Sequence, residues 1–282
     1  MNKISDQEIK AIELHVLKTL TNYCDKNGIR YFLSYGTLIG AIRHQGFIPW
    51  DDDIDVVIPR PDYMRLIKLL GNQEISSCKL SSPYNNRDHF LPYSKIYHIE
   101  TEKIEEGVQY RGTPLGIDVD IFPLDGVPED ERKAEKFYKV QKKLFRWSVL
   151  SFSPYEKSPN MIRTALRYIR MFLVKLVGNY HWIILLNKRA LKYPYEGSKM
   201  VGVPVIGYDN VLKRINRSCF DESIPVHFEG EVYLAPKGYD EFLRTLYGDY
   251  MQLPPEDKRI STHLYDCLLY TSDAADDRIS VD

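Results

Sequence analysis

The sequence predicts an α+β fold, a mixed sheet flanked by helices with a helical insertion, and three observations predict it. Short apolar runs bounded by turn residues, Val56-Val57-Ile58 and Ile117 to Phe122, read as buried strands. Apolar residues at helical spacing flank them, as at Ile9, Ile12, Val16, Leu20 and Tyr23. From Glu129 to about Tyr193 the pattern is helical, which sets an insertion over residues 129–200.

Each element has its own signals. Ser5-Asp6-Gln7-Glu8 reads as a capping box that opens the first helix, and Gly28 closes it. Ile29 to Ser34 reads as a strand, and Gly36-Thr37 then opens a short helix to His44. Pro59 to Asp62 stops the next strand, with Asp62 as the cap of a helix that Gly71 ends. Phe90 to Ile99 alternates as a strand with Lys95 inside it. Val108 to Arg111 pairs with Ile117 to Phe122 as a hairpin, and Asp125-Gly126 reads as a turn with Asp125 capping it. Met161 to Leu191 reads as one basic amphipathic pattern, too interrupted to supply the about 18 apolar residues of a membrane span. Packing on the domain or lying on a membrane surface both suit residues 161–192. Phe228 to Leu234 reads as a strand, and Tyr239 to Leu246 as a helix.

The 282 residues, 44% of them hydrophobic, suffice for one large core. A net charge of −1 argues against nucleic acid as the main partner, because phosphate backbones require a basic surface. Cys24, Cys78 and Cys219 lack metal-ligand or redox spacing, and Met1 to Asp25 is polar and amphipathic rather than a secretory signal. The expected location is cytoplasmic, at the inner face of the membrane if residues 161–192 touch it.

The chemistry gathers between Tyr35 and Ile58. Asp51, Asp52, Asp53 and Asp55 lead directly into an apolar strand. Asp53 and Asp55 share a strand face, where two carboxylates repel unless a cation sits between them. Hard divalent cations take oxygen ligands, and Mg²⁺ in particular takes carboxylates together with substrate phosphates. A second pair, Asp118 and Asp120, lies in another apolar strand, where charge is rare unless paired or metal-bound. Gly36 lets backbone approach a phosphate and Thr37 adds a hydroxyl. Arg43 faces either donor phosphates or solvent, and Lys95 either binds a donor or snorkels at a sheet edge.

These motifs resemble a known family. Gly-Thr, then Asp-Ile-Asp, then a later strand carboxylate resembles the nucleotidyltransferase fold of polymerase-beta-like enzymes. Gly-Thr-Leu-Ile-Gly-Ala-Ile-Arg-His (Gly36 to His44) with Ile-Pro-Trp-Asp-Asp-Asp-Ile-Asp (Ile48 to Asp55) looks more closely like the LicD family of phosphocholine transferases, which is similar to fukutin and fukutin-related protein. Asp120 to Gly126 and Tyr247 to Arg259 match as well, and the resemblance covers residues 20 to 266.

The resemblance implies a nucleotidyltransferase-like sheet and a CDP-linked donor, CDP-choline above all. It implies transfer to a hydroxyl of a cell-surface glycan such as lipopolysaccharide or teichoic acid. It favours Asp120 as the third carboxylate, so that Asp53, Asp55 and Asp120 hold Mg²⁺ or Mn²⁺, with Gly36-Thr37 cradling phosphate and Asp51 beside the metal. Lys258 and Arg259 become candidate phosphate contacts, and His263 a candidate helper. Two rivals remain: an Asp-x-Asp nucleotide-sugar glycosyltransferase and a non-enzymatic calcium-binding module. An EF-hand counted from Asp51 has Val56 where Gly belongs and Asp62 where Glu belongs. Residues 267–282 read as translated transposase adaptor of the kind used in sequencing libraries, so the single catalytic domain is expected over 1–266.

Overall fold

The computed structural model describes residues 2–105, 115–155, 161–208, 213–259 and 265–269. The α+β expectation holds: among the described residues, seven helices surround a mixed eight-stranded sheet. After β1 (Asn2–Lys3), α1 (Asp6–Asn27) starts in the capping box, where Glu8 N donates to Ser5 Oγ at 3.4 Å and Ser5 N to Glu8 Oε2 at 2.9 Å. It ends on Gly28 in the left-handed region, φ 60°. The expected strand at 29–34 shortens to β2 (Phe32–Leu33), followed by α2 (Tyr35–Arg43).

β3 (Asp55–Pro59) is buried along its whole length. α3 (Arg60–Leu70) begins two residues before the expected cap, because Pro61 suits the first helical turn. Asp62 therefore sits inside that turn. β4 (Glu74–Ile75), β5 (Cys78–Ser81), β6 (Ser94–His98) and β7 (Thr101–Glu105) follow, then the long β8 (Asp118–Val127). The insertion is α4 (Glu131–Phe152), α5 (Met161–Val177) and α6 (Asn179–Ala190). The single pattern expected over 161–191 breaks at Gly178, whose φ of +81° leaves the helical region.

β9 (Met200–Gly202) and β10 (Ile215–Asn216) complete that sheet edge. The strand expected at 228–234 is a hairpin, β11 (Ser223–Phe228) and β12 (Glu231–Pro236), because Glu229 and Gly230 both take positive φ and reverse the chain. α7 (Tyr239–Tyr247) follows. β13 (Tyr265–Leu269) crosses the boundary expected at 266 and pairs with β1 and β7. The expected strand at 108–111 and His263 lie outside the described residues.

The sheet's centre is β8. It pairs parallel with β3 on one side and antiparallel with β6 on the other, and its C-terminal end pairs with β9. One continuous core covers both faces, including Leu17 and Leu20 of α1, Val56 and Ile58 of β3, and Ile121 of β8. Asp125-Gly126 is not a turn but the straight end of β8. Gly126 is needed there because a Cβ would come within 2.4 Å of Pro194 O.

Asp125 caps nothing. It accepts both arms of buried Arg60, Nε to Oδ1 at 2.7 Å and Nη2 to Oδ2 at 2.6 Å. Arg60 Nη1 reaches Asn187 Oδ1 at 3.1 Å, so one guanidinium ties α3, β8 and α6 together. Asp125→Ala leaves that buried cation without its carboxylate and should cost about 3–5 kcal/mol of stability. Urea unfolding followed by circular dichroism measures it, and an unchanged midpoint would contradict the assignment.

Candidate active site

The site is assembled where β2 hands the chain to α2. Phe32 and Leu33 pair antiparallel with Val57 and Val56, and Ser34 N donates to Asp55 O at 3.0 Å. Tyr35 then takes φ 48°, a left-handed value rare for a non-glycine residue. Its buried ring packs edge-on against Phe122 at 5.4 Å, and that packing holds the strained backbone. The turn places Gly36 and Thr37 in the first turn of α2, where backbone N–H groups have no helical partners. Thr37 Oγ1 accepts the Asp55 N–H at 2.8 Å and donates to Asp53 O at 3.5 Å. A Cβ at Gly36 would lie 2.3 Å from Asp51 Oδ2, so a side chain there would displace that carboxylate.

The carboxylates meet across strands rather than along one. Asp53 precedes β3, and the residue opposite Asp55 is Asp120, its register partner on parallel β8. Burial, then Asp53, Asp120 and Asp51, push the Asp55 carboxyl well above the usual range. Burial, with the Asp53 and Asp52 charges behind it, pushes Asp51 up to about 7. Asp51, Asp53, Asp55 and Asp120 all line one cavity of about 1020 Å³, as do Gly36, Arg43 and Lys95.

Lys95 sorts the second acidic pair. It lies opposite Asp120 in the antiparallel β6–β8 register. Its Nζ is bonded to Asp118 and lies 2.6 Å from Asp120 Oδ1. The Asp120 contact is ionic rather than a well-aligned hydrogen bond. Lys103 Nζ adds a 3.4 Å contact to Asp118. Burial pushes the Asp118 carboxyl up, but Lys103 and Lys95 outweigh it and hold it at about 2. Asp120 stays at about 6, because burial and the Asp118 charge outweigh Lys95. Lys95 itself is held well above its usual range: burial favours losing its proton, and the two aspartates prevail.

The remaining sequence candidates divide. Arg43 lines the cavity, but its Nη1 donates to Tyr250 O at 2.6 Å, which braces the Tyr247–Tyr250 segment against α2. Arg259 Nε donates to Pro254 O at 2.8 Å, and its guanidinium lies 5.6 Å from the Trp50 ring. Lys258 is exposed. Neither Lys258 nor Arg259 is among the residues lining the cavity.

Sequence reasoning missed two groups. Tyr35, Tyr93 and Tyr247 stand around the carboxylates. Burial, then Asp55, Asp51 and Asp53, raises the Tyr247 phenol. Glu13 of α1 is fully buried behind the cluster, with no hydrogen-bond partner for either oxygen. Burial pushes its carboxyl well above the usual range, Lys103 opposes that, and Asp118 adds to it. The available signal was its place four residues after Ile9 on the apolar face of the helix.

Asp51, Asp53, Asp55 and Asp120 are carboxylates on the cavity that could supply oxygen ligands, and a carboxylate set with excess negative charge suits a hard divalent cation. Among the described residues, no three His, Cys, Asp or Glu side chains already converge at ligand distance. Asp120 Oδ1 is engaged by Lys95 instead.

The site thus sets a first-turn Gly-Thr beside paired strand carboxylates at the centre of a mixed sheet. Residues 28–164 match the model for LicD/FKTN/FKRP, nucleotidyltransferase domain. The chain is 28% identical over 274 residues to the lipopolysaccharide cholinephosphotransferase LicD of Haemophilus influenzae, covering 95% of this chain and 100% of that one. An uncharacterized protein of Rickettsia typhi is 24% identical over 196 residues, 65% of this chain and 58% of its own. One of Rickettsia prowazekii is 38% identical over 80 residues, 25% and 30%.

The raised carboxyls set a pH dependence. A carboxyl whose folded value exceeds its unfolded one stabilises below the unfolded value and loses that stability as pH rises through the folded one. Asp51 and Asp120 rise from 3.8 to about 7 and about 6, so metal-free protein should lose thermal stability between about pH 4 and 7. Asp118 acts oppositely and in a lower window, losing its contribution as pH falls from 3.8 towards about 2. Scanning fluorimetry in chelator at stepped pH checks this, and a melting temperature that rises from pH 5 to 7.5 would contradict it.

Proposed function

We propose that the chain transfers phosphocholine from a CDP-linked donor, CDP-choline, to a hydroxyl of a cell-surface glycan such as lipopolysaccharide or teichoic acid. The observation that carries this reading is the carboxylate group Asp51, Asp53, Asp55 and Asp120 on one cavity wall, beside the open first turn of α2. Such a wall repels a diphosphate unless a cation intervenes, and the helix terminus attracts one. Asp53, Asp55 and Asp120 would hold Mg²⁺ or Mn²⁺. When bound, the cation neutralises the diphosphate and lowers the pKa of a nearby hydroxyl.

The chain's own groups do the rest. The Gly36 and Thr37 N–H groups orient the donor's phosphate. The acceptor oxygen attacks the choline-bearing phosphorus, the bond to the CMP oxygen breaks, and CMP leaves. Asp120, at about 6, is suited to take the acceptor's proton near neutral pH. The cavity is also lined by aromatic rings: Phe90 from the segment before β6, Phe145 and Phe152 from α4, and Tyr208 from the segment after β9. Aromatic faces attract a quaternary ammonium by about 2 kcal/mol when desolvated, and offer no such gain to ribitol or glycerol. That supports choline as the head group. A cytoplasmic location at the inner face of the membrane goes with this reading.

Calorimetry with CDP-choline, CDP-ribitol, CDP-glycerol and nucleotide-sugars, with and without Mg²⁺, tests the reading. Mg²⁺-dependent binding of CDP-choline, weakened in Asp53→Asn, is expected. Asp55→Asn should keep the fold and lose about 100-fold or more in turnover. Binding of a nucleotide-sugar alone would overturn the proposal in favour of glycosyl transfer.

A further inference from the structure

The insertion carries a surface that the transfer reading does not use. Leu166, Ile169, Phe172, Leu173 and Leu176 of α5 recur every three or four residues on one helix face. All are more than half exposed, from 57% for Phe172 to 67% for Leu176, and Met161 at the helix start is 88% exposed. The face turned to the protein is narrow: Met171 and Val174 are buried there. A monomer rarely leaves such a continuous apolar stripe to water without a use for it.

Charge indicates what covers the stripe. Every charged residue of α5 and α6 is basic, in a chain whose net charge is −1. Arg163 and Arg170 are exposed along one flank of the stripe. An apolar face with a basic flank is the pattern of a helix lying in the headgroup region of an anionic leaflet. A second copy fits worse, since two-fold pairing of one patch with itself sets basic flank near basic flank.

The helix lies on the leaflet rather than crossing it. No single described helix is long and apolar enough to span, and α5 and α6 pass together only across a 76° bend. α6 is committed to the fold: Ile183, Leu186 and Ala190 are buried, and Gln141 Nε2 of α4 donates to Leu186 O at 3.2 Å. Trp182 Nε1 donates to Val174 O at 3.0 Å, which fixes α5 against α6.

We propose that the exposed face of α5 seats the protein on an anionic lipid surface, with Ile169, Phe172 and Leu173 in the acyl boundary and Arg163 and Arg170 at the headgroups. The C-terminal end of α5 stands beside the substrate cavity. Val177 and Phe152 line one small cavity of about 280 Å³, and Phe152 also lines the large one. Docking through α5 therefore brings the cavity towards the leaflet. The lipid binding itself does not depend on the transfer reading.

Flotation of the full chain with phosphatidylglycerol–phosphatidylethanolamine vesicles and with pure phosphatidylcholine vesicles tests this. The protein should float with the anionic vesicles, less so as salt rises. Ile169→Glu with Phe172→Glu should lower the partition coefficient at least about tenfold, and Arg163→Glu with Arg170→Glu should lower it and flatten the salt dependence. A blue shift of Phe172→Trp fluorescence on adding anionic vesicles gives support without removing the surface. Absence of flotation, equal flotation of the Ile169→Glu/Phe172→Glu variant, or no preference for anionic lipid overturns the proposal. So does a concentration-dependent dimer that this variant dissociates, which would assign the stripe to a second copy. None of these assays contains donor or acceptor, so failure here and failure of phosphocholine transfer are read separately.

Discussion

Asp55 and Asp120 face each other across the parallel β3–β8 pair, and the repulsion between them is the constraint on which the site depends. A buried carboxylate and a half-buried one at register partners cannot both be ionised cheaply. The fold fixes them in place with one group and offsets charge with another. Thr37 accepts the Asp55 N–H and so keeps the α2 terminus against the strand end. Lys95, from the opposite side of β8, places an ammonium against Asp120. The residual negative charge is what the proposed cation would offset.

The same strand separates structural from chemical charge. Asp118 and Asp120 share a strand face, yet Asp118 faces two lysines and is held at about 2, while Asp120 stays at about 6. Environment, not residue type, assigns one as a permanent anion and leaves the other titrating near neutrality. Five residues further on, Asp125 is a third case, closed off in a two-pronged bond to Arg60. One strand thus carries an anchor for the insertion, a charge ballast and a candidate base.

What was legible in the sequence follows from this. Charged residues in apolar strands stand out by pattern, so Asp53, Asp55, Asp118 and Asp120 are recognisable from residue order alone. So are the capping box and the Gly-Thr helix start, because their partners lie within a few residues. Lys95 was visible, but its partners are 23 and 25 positions away and are chosen by strand register. Arg43 is bound by a carbonyl 207 residues distant, and the Arg60–Asp125 pair spans 65. No local rule reaches such distances. The amphipathic pattern of α5 was legible too, but not which of its faces would pack. Of the larger apolar residues of α5 whose burial is described, Met171 and Val174 are buried against the protein, and most of the others ended outside.

Lys95 also explains how an acidic cluster can persist in a protein that must wait for its substrate. An ammonium held by one carboxylate alone would resist leaving it, because departure strands two buried charges. Lys95 is shared between Asp118 and Asp120, and Asp118 has Lys103 as well. Lys95 therefore has a buried partner in Asp118 besides Asp120, and Asp118 has two cations. The arrangement compensates the cluster's charge through register alone: Lys95 stands opposite Asp120, and Asp118 lies two residues away on the same strand face.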